Sequence, residues 1–174
     1  YAKTKESALF PFVAIDVETS GLSQNHDIVE ISAIKYEEGF NPVSCYTTLV
    51  HPRKPIPADA SKINGITDEM VADAPAIGSI ADEISSYISG CNVVGHNLDF
   101  DLKFLFCSGI RIPEKVRLFD TLAISRRYDK DVFNHKLATV CEEHYIPILG
   151  AHRSLADAFA TAELFCDYCK DIIE

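Results

Sequence analysis

Phe12-Val13-Ala14-Ile15-Asp16-Val17-Glu18-Thr19-Ser20-Gly21-Leu22 begins as an apolar, β-branched run and ends in two carboxylates and a Ser-Gly turn signal. This predicts a buried first strand over Phe12 to Val17, giving way to a turn. Successive side chains of a strand alternate between its faces, so Asp16 and Glu18 point the same way. Like charges gathered in a partly desolvated place either raise a pKa or demand a cation, and a divalent metal with oxygen ligands is the usual answer. The bland alternative is a strand end fraying into solvent, where paired acids are harmless.

Further along, Ile28 to Tyr36 alternates around Val29, Ile31 and Ala33, and Val43 to Val50 is another β-rich run. Together they predict a strand meander. His51 to Pro57 holds three prolines, which remove backbone donors, so the sheet stops there. The period then changes. Ile77, Ile80, Ala81, Ile84 and Ile88 recur at helical spacing, and Gly90 ends that amphipathic helix. Asn92 to Gly95 reads as a short strand, Phe100 to Cys107 as a helix stopped by Ser108-Gly109, and Val116 to Phe119 as a strand. Thr121 to Tyr128, Lys136 to Tyr145 and Leu155 to Ile173 read as three helices. Strands first, then strands interleaved with helices, predict an α/β domain with a mixed sheet covered by helices.

The 174 residues are 47% hydrophobic and 24% charged, the composition of one globular domain rather than of a disordered chain. A chain of this size buries roughly 70% of the surface it exposes unfolded, enough for a single core without staples. The whole of 1–174 is therefore expected to be one domain, with a core over about residues 11–170. Without a long apolar span or a signal peptide, the expectation is a cytoplasmic protein with no membrane contact. Lys and Arg total 16 against 26 acids, a net charge of −10. That balance argues against nucleic-acid binding through many phosphate contacts, which depends on cations displacing counterions. It leaves room for a metal-bridged phosphate site, where the protein supplies acids. The basic residues Arg126, Arg127, Lys130 and Lys136 could follow the phosphates of a strand, but, diluted by Asp129 and Asp131, they are read as a solvated face.

Six cysteines without framework spacing read as reduced thiols. Cys166 and Cys169 form a lone CxxC whose other zinc candidates are Cys141 and His144, but they also continue an apolar helical pattern with Leu164 and Phe165, the preferred reading. The first residue is Tyr1 and the sole methionine is Met70, which suggests a domain trimmed from something longer.

Two further acidic elements follow. Gly95-His96-Asn97-Leu98-Asp99-Phe100-Asp101 lies where a strand yields to a helix, the place where open α/β sheets bind ligands. Helix capping accounts for Asn97 or Asp99 and explains Asp101 less well. Gly150-Ala151-His152-Arg153-Ser154-Leu155-Ala156-Asp157 runs from a loop into the last helix, with Asp157 in its first turn, before Ala158, Phe159 and Ala162, expected to pack. A titratable imidazole such as His152 beside a carboxylate cluster is a general-base candidate.

Asp16-x-Glu18-Thr19, Asn97-x-x-Phe100-Asp101 and His152-x4-Asp157 match, in type, spacing and order, the three motifs of the DEDDh 3′-to-5′ exonucleases. The chain resembles this DnaQ-like family, which includes proofreading subunits and domains of bacterial replicative polymerases. Similarity runs over about Pro11 to Cys166 and includes Ile63-Asn64-Gly65-Ile66-Thr67 and Val94-Gly95-His96-Asn97. The resemblance implies a ribonuclease-H-like fold, a central mixed five-stranded sheet flanked by helices. It implies two divalent ions, Mg²⁺ or Mn²⁺, on Asp16, Glu18, Asp101 and Asp157, with Asp16 shared and His152 as the base. It further implies that Thr19, Gly21, Leu22, His96, Asn97 and Phe100 hold the terminal nucleotide, with Leu22 wedged against its base. Against this stand an ordinary tight turn at Gly21-Leu22 and a core anchor at Phe100. Asp120 is sufficiently explained as a cap for the helix after it.

The implied activity is release of nucleoside 5′-monophosphates from DNA 3′ ends in proofreading or repair. Its partner would be a DNA polymerase, as a separate subunit or in the same polypeptide. The closest competitor is the same chemistry on RNA 3′ ends, which turns on contacts to the 2′-hydroxyl. A binding module that keeps the fold without catalysis is the alternative of another class, and retention of all five reactive residues weighs against it.

Overall fold

The computed structural model describes residues 8–173. Its five strands are β1 (Phe12–Thr19), β2 (Ile28–Glu37), β3 (Asn41–Leu49), β4 (Asn92–Gly95) and β5 (Leu118–Asp120), in spatial order β3-β2-β1-β4-β5. The β1-β2 and β2-β3 pairs are antiparallel and the β1-β4 and β4-β5 pairs parallel, so the sheet is mixed and β1 is its middle strand. The helices are α1 (Ala58–Asn64), α2 (Asp68–Val71), α3 (Ile77–Ile88), α4 (Leu98–Cys107), α5 (Thr121–Tyr128), α6 (Leu137–Glu143) and α7 (Ser154–Ile173).

Two-residue alternation along β1 sorts the core into two layers. Val13, Ile15 and Val17 join a cluster with Ile80, Ile84 and Ile88 of α3 and Phe104 and Leu105 of α4. Phe12 and Ala14 face the other way, onto Ala158, Ala162 and Phe165 of α7. Phe12 stacks on Tyr36 at 4.9 Å between ring centroids and meets the edge of Phe165 at 5.1 Å. Alanines on α7 let its backbone approach the sheet closely. The consequence for the site is direct: Asp16 and Glu18 continue the Phe12-Ala14 face, which is the face that α7 covers.

The predicted elements agree with the observed ones except at the short pieces. Strand β5 lies at Leu118–Asp120 rather than Val116 to Phe119, because the pairing Val93↔Leu118 and Gly95↔Asp120 with β4 sets its limits. Helix α4 starts at Leu98, ahead of the expected Phe100, and the two short helices α1 and α2 have no counterpart in the periodicity. Phe159 does not pack as expected: it is 44% exposed and lines a surface cavity with Ile34 and Cys45, while Ala158 and Ala162 are fully buried. Cys166 and Cys169 lie in the α7 core layer, and all six cysteines are free.

Candidate active site

The carboxylates gather at the end of β1. One oxygen each from Asp16, Glu18 and Asp157 lie within 4.8 Å of one another. The first two come from strand alternation, the third from the first turn of α7, which crosses that face. Asp101 stands beside this trio rather than in it. Pairing of β1 with β4 stops at Ala14, and the Val17 N–H beyond it donates to Asp101 Oδ1 at 3.0 Å. The Asp101 side chain thus replaces a missing strand, from the first turn of α4.

Crowding shows in the protonation behaviour. Burial, then the charges of Asp101, Glu18, Asp157 and Glu30, hold Asp16 well above the usual carboxylate range. Glu18 is pushed up to about 8 by burial and by Asp157, Glu30 and Asp101, with Arg153 opposing. Burial takes Asp101 to about 8 despite the bond from Val17, and burial raises Asp157 against a hydrogen bond from the His152 N–H. A group of hard oxygen donors that repel one another is what a divalent cation relieves, so this donor set fits such an ion.

His152 is exposed, with φ +65°, and its N–H donates to Asp157 Oδ2 at 3.1 Å. Asn97 also has positive φ, at +64°, and it starts α4 without a side-chain cap; its N–H instead reaches Asp120 Oδ1 at 2.8 Å. The same Asp120 oxygen caps α5 by accepting the Leu122 N–H at 2.9 Å, as expected. Such backbone in two motif residues is the kind of local strain that gathers at functional sites.

Two cavities flank the carboxylates. One of about 880 Å³ brings together Asp16, Asp157, His152, His96 and Asn97. The other, of about 450 Å³, is lined by Glu18, Thr19, Gly21, Leu22, Asn64 and Phe100. In the second, Thr19 Oγ donates to the Gly21 carbonyl at 2.7 Å, and a Cβ on Gly21 would come 2.6 Å from the His26 ring, so any side chain there would have to displace that ring. Leu22 stands 86% exposed on the rim, an apolar side chain with nothing over it. Phe100 both lines this cavity and packs on Phe104 at 5.0 Å, so its two readings hold together. His96 lines the first cavity with its ring nitrogens already engaged, Nε2 by the His135 carbonyl and Nδ1 by Thr121 Oγ, both at 2.9 Å. Burial keeps it below its usual pKa. It anchors the segment around His135 to the cleft.

Sequence reasoning gave several residues here no place in the site. Arg126 and Lys136 line the larger cavity beside the acids, so half of the basic cluster read as a solvated face borders the site. Asn64 is buried, donates to the Thr19 carbonyl at 3.3 Å and accepts the Ile66 N–H at 3.0 Å, holding the turn. Glu30, buried on β2 opposite Glu18, pairs with Arg153. A lone Glu inside the apolar run Val29-Glu30-Ile31 was the available signal.

Comparison with known proteins places this geometry. Residues 13–165 match the family described as Exonuclease. The chain belongs to that exonuclease family. A DNA polymerase III PolC-type of Caldanaerobacter subterraneus subsp. tengcongensis is 37% identical over 166 residues, 94% of this chain. The chain spans only 12% of the length of that relative. A DNA polymerase III subunit epsilon of Treponema pallidum is 33% identical over 162 residues, 88% of this chain and 74% of that protein. A solved structure of exonuclease X in complex with 5′ overhanging duplex DNA superposes with a TM-score of 0.75 at 28% identity, covering 92% of each chain. The five-stranded mixed sheet flanked by helices is the exonuclease, ribonuclease-H-like fold. Among the described residues, no helix is long and apolar enough to cross a membrane.

Proposed function

We propose that this exonuclease-family chain is one domain over 1–174, with its core at about 11–170, that removes nucleoside 5′-monophosphates from DNA 3′ ends. Proofreading or repair is the setting, in the cytoplasm, with a DNA polymerase as partner subunit or as the rest of the same polypeptide. The observation that carries the reading is the meeting of Asp16, Glu18 and Asp157 within 4.8 Å, beside His152 and between two cavities.

Asp16, Glu18, Asp101 and Asp157 would hold two divalent ions, Mg²⁺ or Mn²⁺. Such ions, when bound, lower the pKa of a water and stabilise the attacking and leaving oxygens of the phosphodiester. His152 accepts the proton of the attacking water, which its exposed position at the cavity rim permits. Thr19, Gly21 and Leu22 shape the pocket for the terminal nucleotide, with Leu22 and Phe100 offering apolar surface to its base. Asn97 and His96 shape the facing wall, His96 by fixing the segment that carries His135. Arg126 and Lys136 supply local positive charge to a strand entering an otherwise acidic molecule.

The test is time-resolved product analysis on matched 5′-labelled single-stranded DNA and RNA, with Mg²⁺ or Mn²⁺, for wild type and Asp16→Ala. Stepwise shortening of DNA that disappears in the variant is expected. Faster loss of RNA would move the substrate to RNA 3′ ends, and no shortening of either would leave a binding module.

A further inference from the structure

Arg153 follows His152 directly, and its guanidinium forks onto Glu30 of β2. Nε lies 3.1 Å from both carboxylate oxygens, and one Nη lies 2.5 Å from Oε1. Oε2 also accepts the N–H of Ser154, the first residue of α7, at 2.9 Å. Ser154 Oγ meets Ser32 Oγ at 2.7 Å, which in turn meets Thr47 Oγ at 2.8 Å. The residues that follow His152 are thus fastened to β2, and through Ser32 to β3. Glu30 and Ser154 are 4% and 0% exposed, so the bond between them and the one from Ser154 to Ser32 are shielded from water, while the Arg153 side chain is partly exposed.

Among the described residues, no side chain hydrogen-bonds the His152 ring. Its place is set by the backbone, which holds a left-handed conformation that is strained for a non-glycine residue. Something must hold that conformation. On one side it is the His152 N–H bond to Asp157, and on the other it is the grip of Glu30 on Arg153 and Ser154.

We infer that Glu30 and Arg153 are positioning residues for the hydrolysis, their ion pair holding His152 at the carboxylate cluster through the loop backbone. The inference rests on the reading of His152 as the base. A bidentate Arg–carboxylate pair fixes orientation as well as distance, which a lysine in its place does not. The same pair has a second effect. Glu30 lies opposite Glu18 in the β1-β2 register and would be a fifth acid of the cluster, but Arg153 and Ser154 occupy its oxygens and keep it out of the donor set.

The experiment is steady-state kinetics of the whole protein on 5′-labelled single-stranded DNA with Mg²⁺, for Arg153→Ala, Arg153→Lys, Glu30→Gln, His152→Gln and their combinations with His152→Gln. Misplacing a reacting group by about 1 Å costs up to about 100-fold, so Arg153→Ala is expected to lower kcat by about 10- to 100-fold with KM and Mg²⁺ requirement near wild type. Arg153→Lys should recover part of the loss. In the His152→Gln background the Arg153 and Glu30 substitutions should cost nothing further, because they act through that ring. An equal loss in both backgrounds, or wild-type kcat in Arg153→Ala, overturns the inference. Should Arg153→Ala not fold, Arg153→Lys and Glu30→Gln run the same cycle and decide it. Wild type idle on DNA sinks the proposed function instead, and an undiminished His152→Gln sinks the role of the base.

Discussion

Asp101 carries two demands that pull against each other. Its oxygen satisfies the Val17 N–H where strand pairing ends, and its charge presses on Asp16 more than any other group does. Burial lifts its pKa to about 8, so an ionised Asp101 is costly to the protein without a cation. Asparagine keeps an oxygen for Val17 and removes the charge. Asp101→Asn is therefore expected to raise the melting temperature in EDTA by about 2–4 °C for each kcal/mol released, and to cut the exonuclease rate by about 100-fold or more. Melting curves and labelled-DNA assays on one preparation check both halves. A lower melting temperature would mean that the bond to Val17, weakened in the neutral side chain, outweighs the desolvation.

The junction of β4 with α4 decides where Asp101 and Asn97 stand, and Gly95 makes that junction possible. A Cβ there would lie 2.6 Å from Leu98 Cδ1 and 3.3 Å from Leu98 Cα, so a side-chain shift alone does not clear it. Gly95→Ala should cost about 1–3 kcal/mol in denaturant unfolding, as overpacking does, and should lower activity by moving α4. Unchanged stability would show that α4 slides freely on the strand. Elements of this length divide by how strongly their own residues declare them. The strand Asn92–Gly95 and the helix Ile77–Ile88 were readable because an apolar run and a 3.6-residue period need no partner to be recognised. Helix α1 buries only Asn64, so it has no apolar stripe to read, and the limits of β5 come from its neighbour. The site divides likewise. Period-two spacing brought Asp16 and Glu18 onto one face, whereas Asp101, Asp157 and His152 were found by motif, since their meeting depends on how α4 and α7 cross the sheet. Glu30 and Arg153 are 123 residues apart, and only the packed structure joins them.

At the scale of the whole molecule, this acid cluster makes stability depend on pH and metal together. Free carboxylates titrate near 4, while Glu18 and Asp101 in the fold titrate at about 8, the shifts being led by burial, with neighbouring acids adding. Between those values the folded protein holds more protons than the unfolded chain, so stability must fall as pH rises from about 4 through about 8. His144 adds to the same trend. Burial alone would lower its pKa, but hydrogen bonds to Asp167 and Asp129 raise it, so its contribution is present below its unfolded pKa and lost as pH rises through the folded one. His96 works against it: burial holds its pKa down, so stability is gained as pH rises from its folded to its unfolded value, a single group against the several raised acids. Glu30 and Asp129 oppose at the acid end. Burial would raise them, but hydrogen bonds, from Arg153 and Ser154 in one case and Tyr168 in the other, hold them low; that support is lost only as pH falls through their folded values. The metal-free protein should therefore melt higher at pH 5.5 than at pH 8. A bound cation takes the place of the protons, so Mg²⁺ should raise the melting temperature more at pH 8 than at pH 5.5, releasing protons as it binds. Melts in EDTA and in saturating Mg²⁺ at both values read this out, with Asp101→Asn as control: removing one titrating carboxylate should flatten the EDTA slope while leaving the His144 part. An equal Mg²⁺ effect at both pH values would mean that the cluster is already ionised in the free protein, its charge relieved by solvent rather than by protons.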